Sequence, residues 1–408
     1  MVRTVAIDDP GDLIAALPEP GLSWVRRGEG MVAWGEVARI DTSGPNRMAD
    51  AQAWWRGMAV RAIVRDDVHQ RGTGLVAFGS FSFADDSAAG GSLIIPQYVL
   101  GRQDGAAWLS VISESSTITA PTLADATMRR AAAQPLGRVR VEPGDAPAWR
   151  EAVATAVATI VSGDVHKVVL ARAVEAIASQ PIDIRSVLAP LARDYPTCWT
   201  FHVDGMVGAT PELLARVDRG LVTSRVLAGT IRPTGNETAD LAYAAALARS
   251  SKDRVEHEYA VESVTRVLRD HCSSINVPEA PSVIHLRNVM HLASDVTGVL
   301  SDRTTSLELV AALHPSAAVC GTPTEAAARL LTSLEGLDRA RYSGPVGWTD
   351  AEGDGEWCIA LRAAEVSTTD PARLRLFAGC GIVAGSTPDD EWAESEAKLE
   401  PLREALGS

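Results

Sequence analysis

The stretch from residue 198 to residue 230 limits the fold most strongly, because it alternates short apolar runs with turn dipeptides. Asp204-Gly205 and Arg219-Gly220 separate runs in which apolar and polar residues alternate, as they do in strands joined by tight turns. We therefore expect an antiparallel meander.

One step interrupts this meander. The sequence Ala-Thr-Pro-Glu at 209–212 predicts a bulge or tight turn that points Glu212 away from the ladder. An acid at a sheet irregularity is typical of an active site, and an ordinary surface turn explains it nearly as well.

The remaining sequence predicts a mixture of helices and strands. Residues 1–136 are read as a β-rich scaffold with strands at 31–40, 75–83, 93–96 and 106–112 and an amphipathic helix at 48–65. Further along, we expect a helix at 148–163, a strand at 166–177, a long helix at 237–272 and strands at 283–300.

The strand at 166–177 carries a lysine in an apolar setting. By alternation, Lys167 shares a face with Val169, Ala171 and Ala173, whereas Arg172 faces the other way. An amine among these side chains is poorly hydrated, as a catalytic base would be. Near the strand's start it could equally extend outward to solvent.

Two helices carry acids at a spacing of three. Asp253 and Glu256 lie on the long helix, and Glu391 and Glu394 lie on a helix expected from about Pro388 onward. Neighbouring carboxylates suit a divalent cation such as Mg²⁺, which binds through one or two carboxylates, waters and an anionic substrate. Acids near a helix N-terminus also complement its dipole, so the last pair alone leaves both explanations open.

Two further segments complete the chain. Residues 341–366 predict a hairpin that turns at 353–355, with Arg362 in its apolar second strand, where a buried charge needs a partner. Gly379-Cys380-Gly381 is read as a small-residue turn before a short strand.

Composition excludes several classes of function. The net charge of −14 repels nucleic acid and anionic membranes, so we expect neither as a partner. No apolar run approaches the ~18 residues that span a bilayer, and residues 1–20 lack a signal-peptide pattern, so a cytoplasmic location is expected. The five cysteines are scattered without a Cys-x-x-Cys pair, which predicts buried thiols rather than zinc ligands.

From about residue 137 onward, a series of motifs resembles the chorismate-utilising enzymes, and within that family most closely its isochorismate synthases. The motifs occur in the family's order and include HKVVLAR, GATPELL, LAGTIRPTG, SSKDRVEHEYAV, HLASDVTG, LHPSAAVCGTP, YSGPVGW, IALRAAEV, RLFAGCGIVAGS and EWAESEAKL. The resemblance implies an α+β fold: a single large domain over 1–408, with two mostly antiparallel β-sheets packed together and helices on the outside.

The resemblance also implies roles for individual residues in an isomerisation of chorismate. Lys167 would be the base that activates water and Glu212 the acid that protonates the leaving hydroxyl. Mg²⁺ would be held by Glu256 and Glu394, with Asp253 and Glu391 in support. Substrate-binding positions would be Thr230, His291, Tyr342, Arg362, Gly379, Gly381 and Lys398.

Relatives that use ammonia have a non-basic residue where this chain has Lys167, so the resemblance implies water as the nucleophile and no glutaminase subunit. Salicylate synthases, which go on to eliminate pyruvate, keep the lysine and stay an alternative. A catalytically silent chorismate-binding protein is a third. We expect chorismate as the small-molecule partner and a monomeric chain.

Overall fold

Two large β-sheets form the centre of the computed structural model, which describes residues 1–122 and 132–407. The strands are β1 (Val2–Ile7), β2 (Leu22–Arg26), β3 (Glu29–Trp34), β4 (Ala38–Thr42), β5 (Val64–Asp66), β6 (Val76–Phe81), β7 (Gly91–Ile95), β8 (Tyr98–Gln103), β9 (Ala106–Ile112), β10 (Val139–Val141), β11 (Lys167–Ala178), β12 (Trp199–Val203), β13 (Met206–Thr210), β14 (Leu213–Asp218), β15 (Leu221–Ile231), β16 (Cys272–Asn276), β17 (Ser282–His285), β18 (Met290–Leu300), β19 (Gly321–Thr322), β20 (Pro345–Asp350), β21 (Gly355–Ile359), β22 (Ala363–Val366) and β23 (Arg373–Ile382).

The helices are α1 (Leu13–Ala16), α2 (Arg47–Arg61), α3 (Ala146–Ser162), α4 (Arg185–Asp194), α5 (Glu237–Arg249), α6 (Ser251–His271), α7 (Ser306–Leu313), α8 (Thr324–Glu335) and α9 (Pro388–Ala405). Local signals explain their ends. The side chain of Thr387 accepts the Asp390 N–H at the start of α9, where Pro388 is the first helical residue. Gly163, at φ 99°, ends α3.

Sheet A runs β10-β11-β23-β22-β13-β12-β2-β3-β8-β9-β1-β5, with β19 also paired to β11. Sheet B runs β16-β18-β15-β14-β21-β20-β6-β7-β4, with β17 also paired to β18. Neighbouring described strands are antiparallel except β1 and β5. The α+β architecture with two mostly antiparallel sheets is therefore confirmed.

The apolar core joins both sheets and both halves of the chain. A single cluster contains Trp24 and Phe201 from sheet A together with Phe81 and Trp357 from sheet B. Because β2 pairs with β12 and β6 pairs with β20, the N-terminal third supplies strands to the sheets that carry the later motifs. It is an integral part of the fold.

Several predicted elements are wrong in their bounds. The helix predicted at 48–65 ends at Arg61 because the chain then forms β5 at the edge of sheet A. The helix predicted at 237–272 breaks at Ser250, whose side chain caps the second helix by accepting the Asp253 N–H.

The meander predicted at 198–230 is also wrong as a single unit. Its turns at Asp204-Gly205 and Arg219-Gly220 are correct, with all four residues at positive φ. However, β12 and β13 belong to sheet A, whereas β14 and β15 belong to sheet B. The chain therefore crosses from one sheet to the other at the Thr-Pro-Glu step.

Two further corrections concern β23 and Arg362. Gly379, Cys380 and Gly381 do not form a turn but pair with Ala171, Leu170 and Val169 inside the β11–β23 ladder. Arg362 does not lie in a strand. It falls between β21 of sheet B and β22 of sheet A, where the chain crosses back between the sheets.

Candidate active site

A cavity lies where the chain makes these two crossings between the sheets. Its walls come from β11, β15, β18 and β23, from α6 and α9, and from the two crossings themselves. They include the predicted site residues Glu212, Thr230, Glu256, His291, Tyr342, Arg362, Gly379, Gly381 and Lys398. The structure thus gathers most of the predicted residues around one space.

The backbone is strained at two points of the cavity wall. Ser343 and Arg362 have φ values of 62° and 48°, in the left-handed region that residues other than glycine rarely adopt. Such conformations persist only where surrounding structure fixes them, and they cluster at functional sites. At position 362 the unusual backbone directs a guanidinium into the space between the sheets.

Lys167 lies beside the cavity at the start of β11. Its side chain is 0 % exposed, and Nζ lies 3.4 Å from Glu256 Oε1 but makes no hydrogen bond to any described residue. Val169 and Ala171 on the same strand face line the cavity. On the other face, Arg172 donates to Ser395 of α9 (2.8 Å). The predicted division of the two strand faces is correct.

Glu212 is a buried acid at the first crossing. Burial raises its pKa to about 8, although Lys167 and Lys398 act against this shift. The carboxyl is therefore largely protonated at neutral pH, the state that a proton donor requires.

His291 and Thr230, which both lie on sheet B, orient the side chain of Arg362. The Arg362 Nη2–H group donates to His291 Nε2 (2.7 Å), and His291 Nδ1 lies 3.2 Å from Thr230 Oγ1 and 3.3 Å from the Gly229 carbonyl oxygen. Burial, with help from Arg362 and Lys398, lowers the pKa of His291 well below its usual value. The imidazole is thus neutral, and because arginine only donates, Nδ1 carries the proton.

Arg362 keeps one donor for a ligand. Its Nη1 is buried and makes no hydrogen bond within the described chain. Because an unpaired buried donor costs free energy, the unpartnered Nη1 of Arg362 indicates an anionic ligand. Lys167 Nζ contacts Glu256 but makes no hydrogen bond within the described chain, so it also has donors available.

Lys398 projects from α9 toward the same space. Its Nζ donates to the Gly379 carbonyl oxygen (2.8 Å) and lies 2.6 Å from Glu394 Oε1. Burial disfavours its charge, but the Glu394 carboxylate more than offsets burial and raises the pKa of Lys398. Lys398 is therefore a fixed cation.

The four predicted metal ligands form two groups. In the described part of the chain, one set of three potential ligands has its donor atoms within 4.8 Å of one another: Cys380, Glu391 and Glu394. Glu256 is not a member of that set; it contacts Lys167, and burial together with the nearby Glu394 carboxylate raises its pKa. The Asp253 Cβ lies 2.9 Å from where a Cβ on Gly229 would stand, so Asp253 packs against the cavity wall.

The donor chemistry of this region fits a hard cation such as Mg²⁺. Carboxylate oxygens are the ligands that Mg²⁺ prefers. Burial raises the pKa of the Cys380 thiol well above its usual range, so that thiol stays protonated and is a poor ligand. A Cβ on Gly381 would lie 2.0 Å from Glu256 Oε1. The glycine therefore leaves the room that the Glu256 carboxylate uses.

Tyr342 and the glycines of β23 form the remaining wall. The Tyr342 ring stacks on Phe377 with centroids 4.9 Å apart, and a Cβ on Gly379 would lie 3.3 Å from its hydroxyl oxygen. Small residues in this strand let the substrate space reach the backbone itself.

Among the polar residues of the cavity wall, sequence reasoning missed Arg339 and Ser343. Arg339 follows Glu335 by four positions, a spacing that is common in surface helix pairs and gives no indication of burial. The strained φ of Ser343 has no signal in the sequence.

The comparisons with known proteins agree with this site. Residues 22–407 match the family model described as chorismate binding enzyme. The isochorismate synthase DhbC of Bacillus subtilis is 40% identical over 279 residues, which cover 65% of this chain and 68% of that protein. The salicylate biosynthesis isochorismate synthase of Pseudomonas aeruginosa is 31% identical over 409 residues, 95% of this chain and 85% of that protein.

A solved structure extends the similarity to the whole fold. The menaquinone-specific isochorismate synthase MenF of Escherichia coli superposes with a TM-score of 0.80 at 26% identity, covering 100% of this chain and 95% of that one. Within the described residues, no helix is long and apolar enough to cross a membrane.

Proposed function

The chain belongs to the family of chorismate-binding enzymes, and from that premise we propose that it is an isochorismate synthase. The observation that carries the proposal is the pairing, at one cavity, of a fully buried amine, Lys167, with a carboxyl whose pKa burial raises to about 8, Glu212. An isomerisation that adds water at one ring carbon and expels hydroxide from another needs both a base and an acid.

The cations of the cavity suit a substrate with two carboxylates. Lys398 and Arg362 line the cavity from two different elements, α9 and the crossing between β21 and β22. Arg362 is oriented by the neutral His291 and offers its free Nη1 to one carboxylate. The chain's net charge of −14 repels anions, so these local cations are needed for an anionic ligand to bind in the cavity.

The chemistry then needs two proton movements. The Lys167 amine removes a proton from a water molecule as its oxygen bonds to ring carbon 2 of chorismate. Both ring double bonds shift by one position, from C1=C2 and C5=C6 to C6=C1 and C4=C5, as the bond from carbon 4 to its hydroxyl breaks. Glu212 gives its proton to that hydroxyl, which leaves as water. Transfer of a proton from the lysine back to Glu212 restores the starting state. No ammonia is consumed, so no glutaminase subunit is needed.

We propose Mg²⁺ as the cofactor, held by Glu256 and Glu394 with Glu391 and Asp253 in support. When bound, the cation supplies positive charge that neutralises a substrate carboxylate. The chain's own part is to place Glu256 beside Gly381, where no side chain obstructs it, and to hold Glu394 one helical turn from Lys398.

The test is a product analysis with purified protein, chorismate and Mg²⁺ in ¹⁸O-enriched water. The proposal predicts a product that separates from chorismate by chromatography and contains one ¹⁸O atom, because the incoming oxygen comes from solvent. Stoichiometric pyruvate would instead identify a salicylate synthase. Unchanged chorismate, bound but not converted, would identify a silent binding protein.

A further inference from the structure

A buried ion pair closes one edge of the strand that carries Lys167. On one side β11 pairs with β23 along its length. On the other side it pairs briefly with β19, where Lys167 lies opposite Thr322 and Val168 opposite Gly321. The last backbone hydrogen bond on this side runs from the Val169 N–H to the Cys320 carbonyl oxygen (2.8 Å).

Beyond that bond the two segments separate and the cavity opens between them. Val169 and Ala171 line it from β11, and Ala318 and Val319 line it from the other segment. We call this place the fork. A strand edge that opens onto a cavity leaves backbone groups without partners, which is costly when they are buried.

Side chains of Glu335 and Arg339 satisfy those groups. The Glu335 Oε1 atom accepts the Ala171 N–H (2.7 Å). Arg339 donates from Nη2 to the Val169 carbonyl oxygen (2.5 Å) and from Nη1 to the Val319 carbonyl oxygen (2.9 Å). One guanidinium thus bridges both sides of the fork where they diverge.

The pair is itself rigid and enclosed. Arg339 Nε donates to Glu335 Oε2 (2.9 Å), and Nη2 pairs with Oε1. The side chains are 3% and 5% exposed, and the guanidinium lies 4.2 Å from the centre of the Phe83 ring. A planar, bidentate pair packed on an aromatic ring has few alternative conformations.

We propose that Glu335 and Arg339 are positioning residues, an inference that rests on the proposed function. Together they take the place of a neighbouring strand at the fork. They thereby hold the Lys167 end of β11 at the distance from the substrate that proton transfer requires. Neither residue exchanges a proton with the substrate. Their role is to fix Val169 and Ala171, the residues next along the face from Lys167. Reacting groups displaced by about 1 Å can cost on the order of 100-fold in rate.

The first variant is the double substitution Glu335→Met and Arg339→Met. The two methionines remove both charges but keep a similar side-chain volume, a change that buried ion pairs often tolerate without loss of stability. They cannot, however, form hydrogen bonds with the Val169 carbonyl or the Ala171 N–H. We expect kcat to fall on the order of 100-fold with KM nearly unchanged. Hydrogen exchange of the Ala171 amide should accelerate in the same variant.

The matched control is the other buried pair of the same chemistry, Asp183 and Arg185, whose atoms lie 2.6 Å apart and whose side chains are 6% and 7% exposed. Asp183→Met with Arg185→Met removes an equivalent pair away from the cavity and should leave kcat within about twofold of wild type, the usual behaviour of distant, independent sites. The single variant Arg339→Lys keeps the charge but not the fork geometry, and it should reproduce most of the loss in kcat.

The outcomes separate this inference from the proposed function. Normal kcat in the double variant, or an Ala171 amide that stays protected, would overturn the positioning role. If wild-type protein converts no chorismate, the proposed function fails, and amide exchange still decides whether the pair holds β11. Should the double variant not fold, kcat and KM of Arg339→Lys decide: a loss of kcat at unchanged KM supports the positioning role, and a normal kcat overturns it. Amide exchange at Ala171 is no criterion in that variant, because Glu335 still accepts its N–H.

Discussion

At the scale of single residues, burial is what distinguishes the candidate catalytic groups from ordinary charged residues. The sequence places Lys167 on an apolar strand face by alternation alone, and the structure gives that side chain no exposure. The burial of Glu212 depends on the crossing between the sheets, which a local pattern does not contain. For this reason the sequence alone is also consistent with Glu212 in an ordinary surface turn.

We predict that Lys167→Ala lowers kcat by about 10²–10⁴-fold, the usual contribution of a general base, and leaves chorismate binding largely intact. Binding should survive because Lys398 and Arg362 still face the substrate carboxylates. Turnover by chromatography and the chorismate dissociation constant by calorimetry measure the two effects separately. A variant with normal turnover would show that the base lies elsewhere.

The raised pKa of Glu212 predicts a pH-dependent stability. The folded protein keeps this proton up to about pH 8, whereas the unfolded chain releases it near the ordinary glutamate pKa of 4.5. Between these values the folded state binds more protons than the unfolded state, so the free energy of unfolding falls as pH rises, by up to about 1.4 kcal/mol per pH unit.

Glu212→Gln removes this titration, so its stability advantage over wild type should grow from pH 5 to pH 8 and then level off. Urea unfolding at several pH values measures this advantage. A constant difference between the two proteins would show that the carboxyl ionises normally. The same variant should lose turnover, because an amide offers no acidic proton.

At the scale of elements, the difference between local and long-range signals explains both an error and a success of the sequence-based prediction. The sequence predicts a turn at Gly379-Cys380-Gly381 because small residues commonly mark turns, yet these residues lie within β23. The missing signal was long-range: a glycine in a strand interior often marks close approach of another group. The helix from Pro388 was correct because its cap and proline are local signals.

The space at Gly381 leads to a test of the metal site. In Gly381→Ala the new Cβ would stand 2.0 Å from Glu256 Oε1. The end of a flexible side chain can move away, so the fold should persist while the carboxylate shifts. We expect the Mg²⁺ concentration for half-maximal activity to rise on the order of 10-fold, as it does when the surroundings of a metal ligand are disturbed.

Gly57→Ala is the control for this substitution. Gly57 lies within α2, with nothing within 4 Å of its added Cβ, so alanine should stabilise the helix by about 0.5–1 kcal/mol and leave the Mg²⁺ requirement unchanged. An unchanged Mg²⁺ requirement in Gly381→Ala as well would place the cation away from Glu256.

At the scale of the whole molecule, the site depends on pairings that no local pattern specifies. Thr200 lies opposite Val25 and Val346 opposite Ser80, so residues far apart in the chain define the two sheets. Periodicity yields the strands but not their order. The resemblance to a known family implies the two antiparallel sheets and the roles of residues such as His291, whose sequence setting is uninformative.

The charges of the assembled site predict coupling between metal and substrate. Lys398 Nζ lies 2.6 Å from Glu394 Oε1, so this cation and this acid partly neutralise each other. Chorismate bound alone would draw Lys398 from Glu394, and Mg²⁺ bound alone would draw Glu394 from Lys398. Bound together, the two ligands satisfy both charges. Each should therefore tighten the binding of the other, by a coupling of about 1–3 kcal/mol, or 5–150-fold in affinity.

The measurement uses Glu212→Gln, which binds without turnover and leaves the charge nearly unchanged because Glu212 is largely neutral at pH 7. Calorimetric titration with chorismate, with and without saturating Mg²⁺, gives the coupling free energy directly. Linkage requires the same factor when Mg²⁺ is the titrant.

Adding Glu394→Gln to this variant should reduce the coupling because one carboxylate loses its charge. Adding Asp389→Asn should not, since that side chain is 83% exposed on the same helix and pairs with Arg150. Equal chorismate affinity with and without Mg²⁺ would mean that the metal ion and the substrate do not compete for Lys398 and Glu394. The proposed charge arrangement would then be wrong even if the enzyme makes isochorismate.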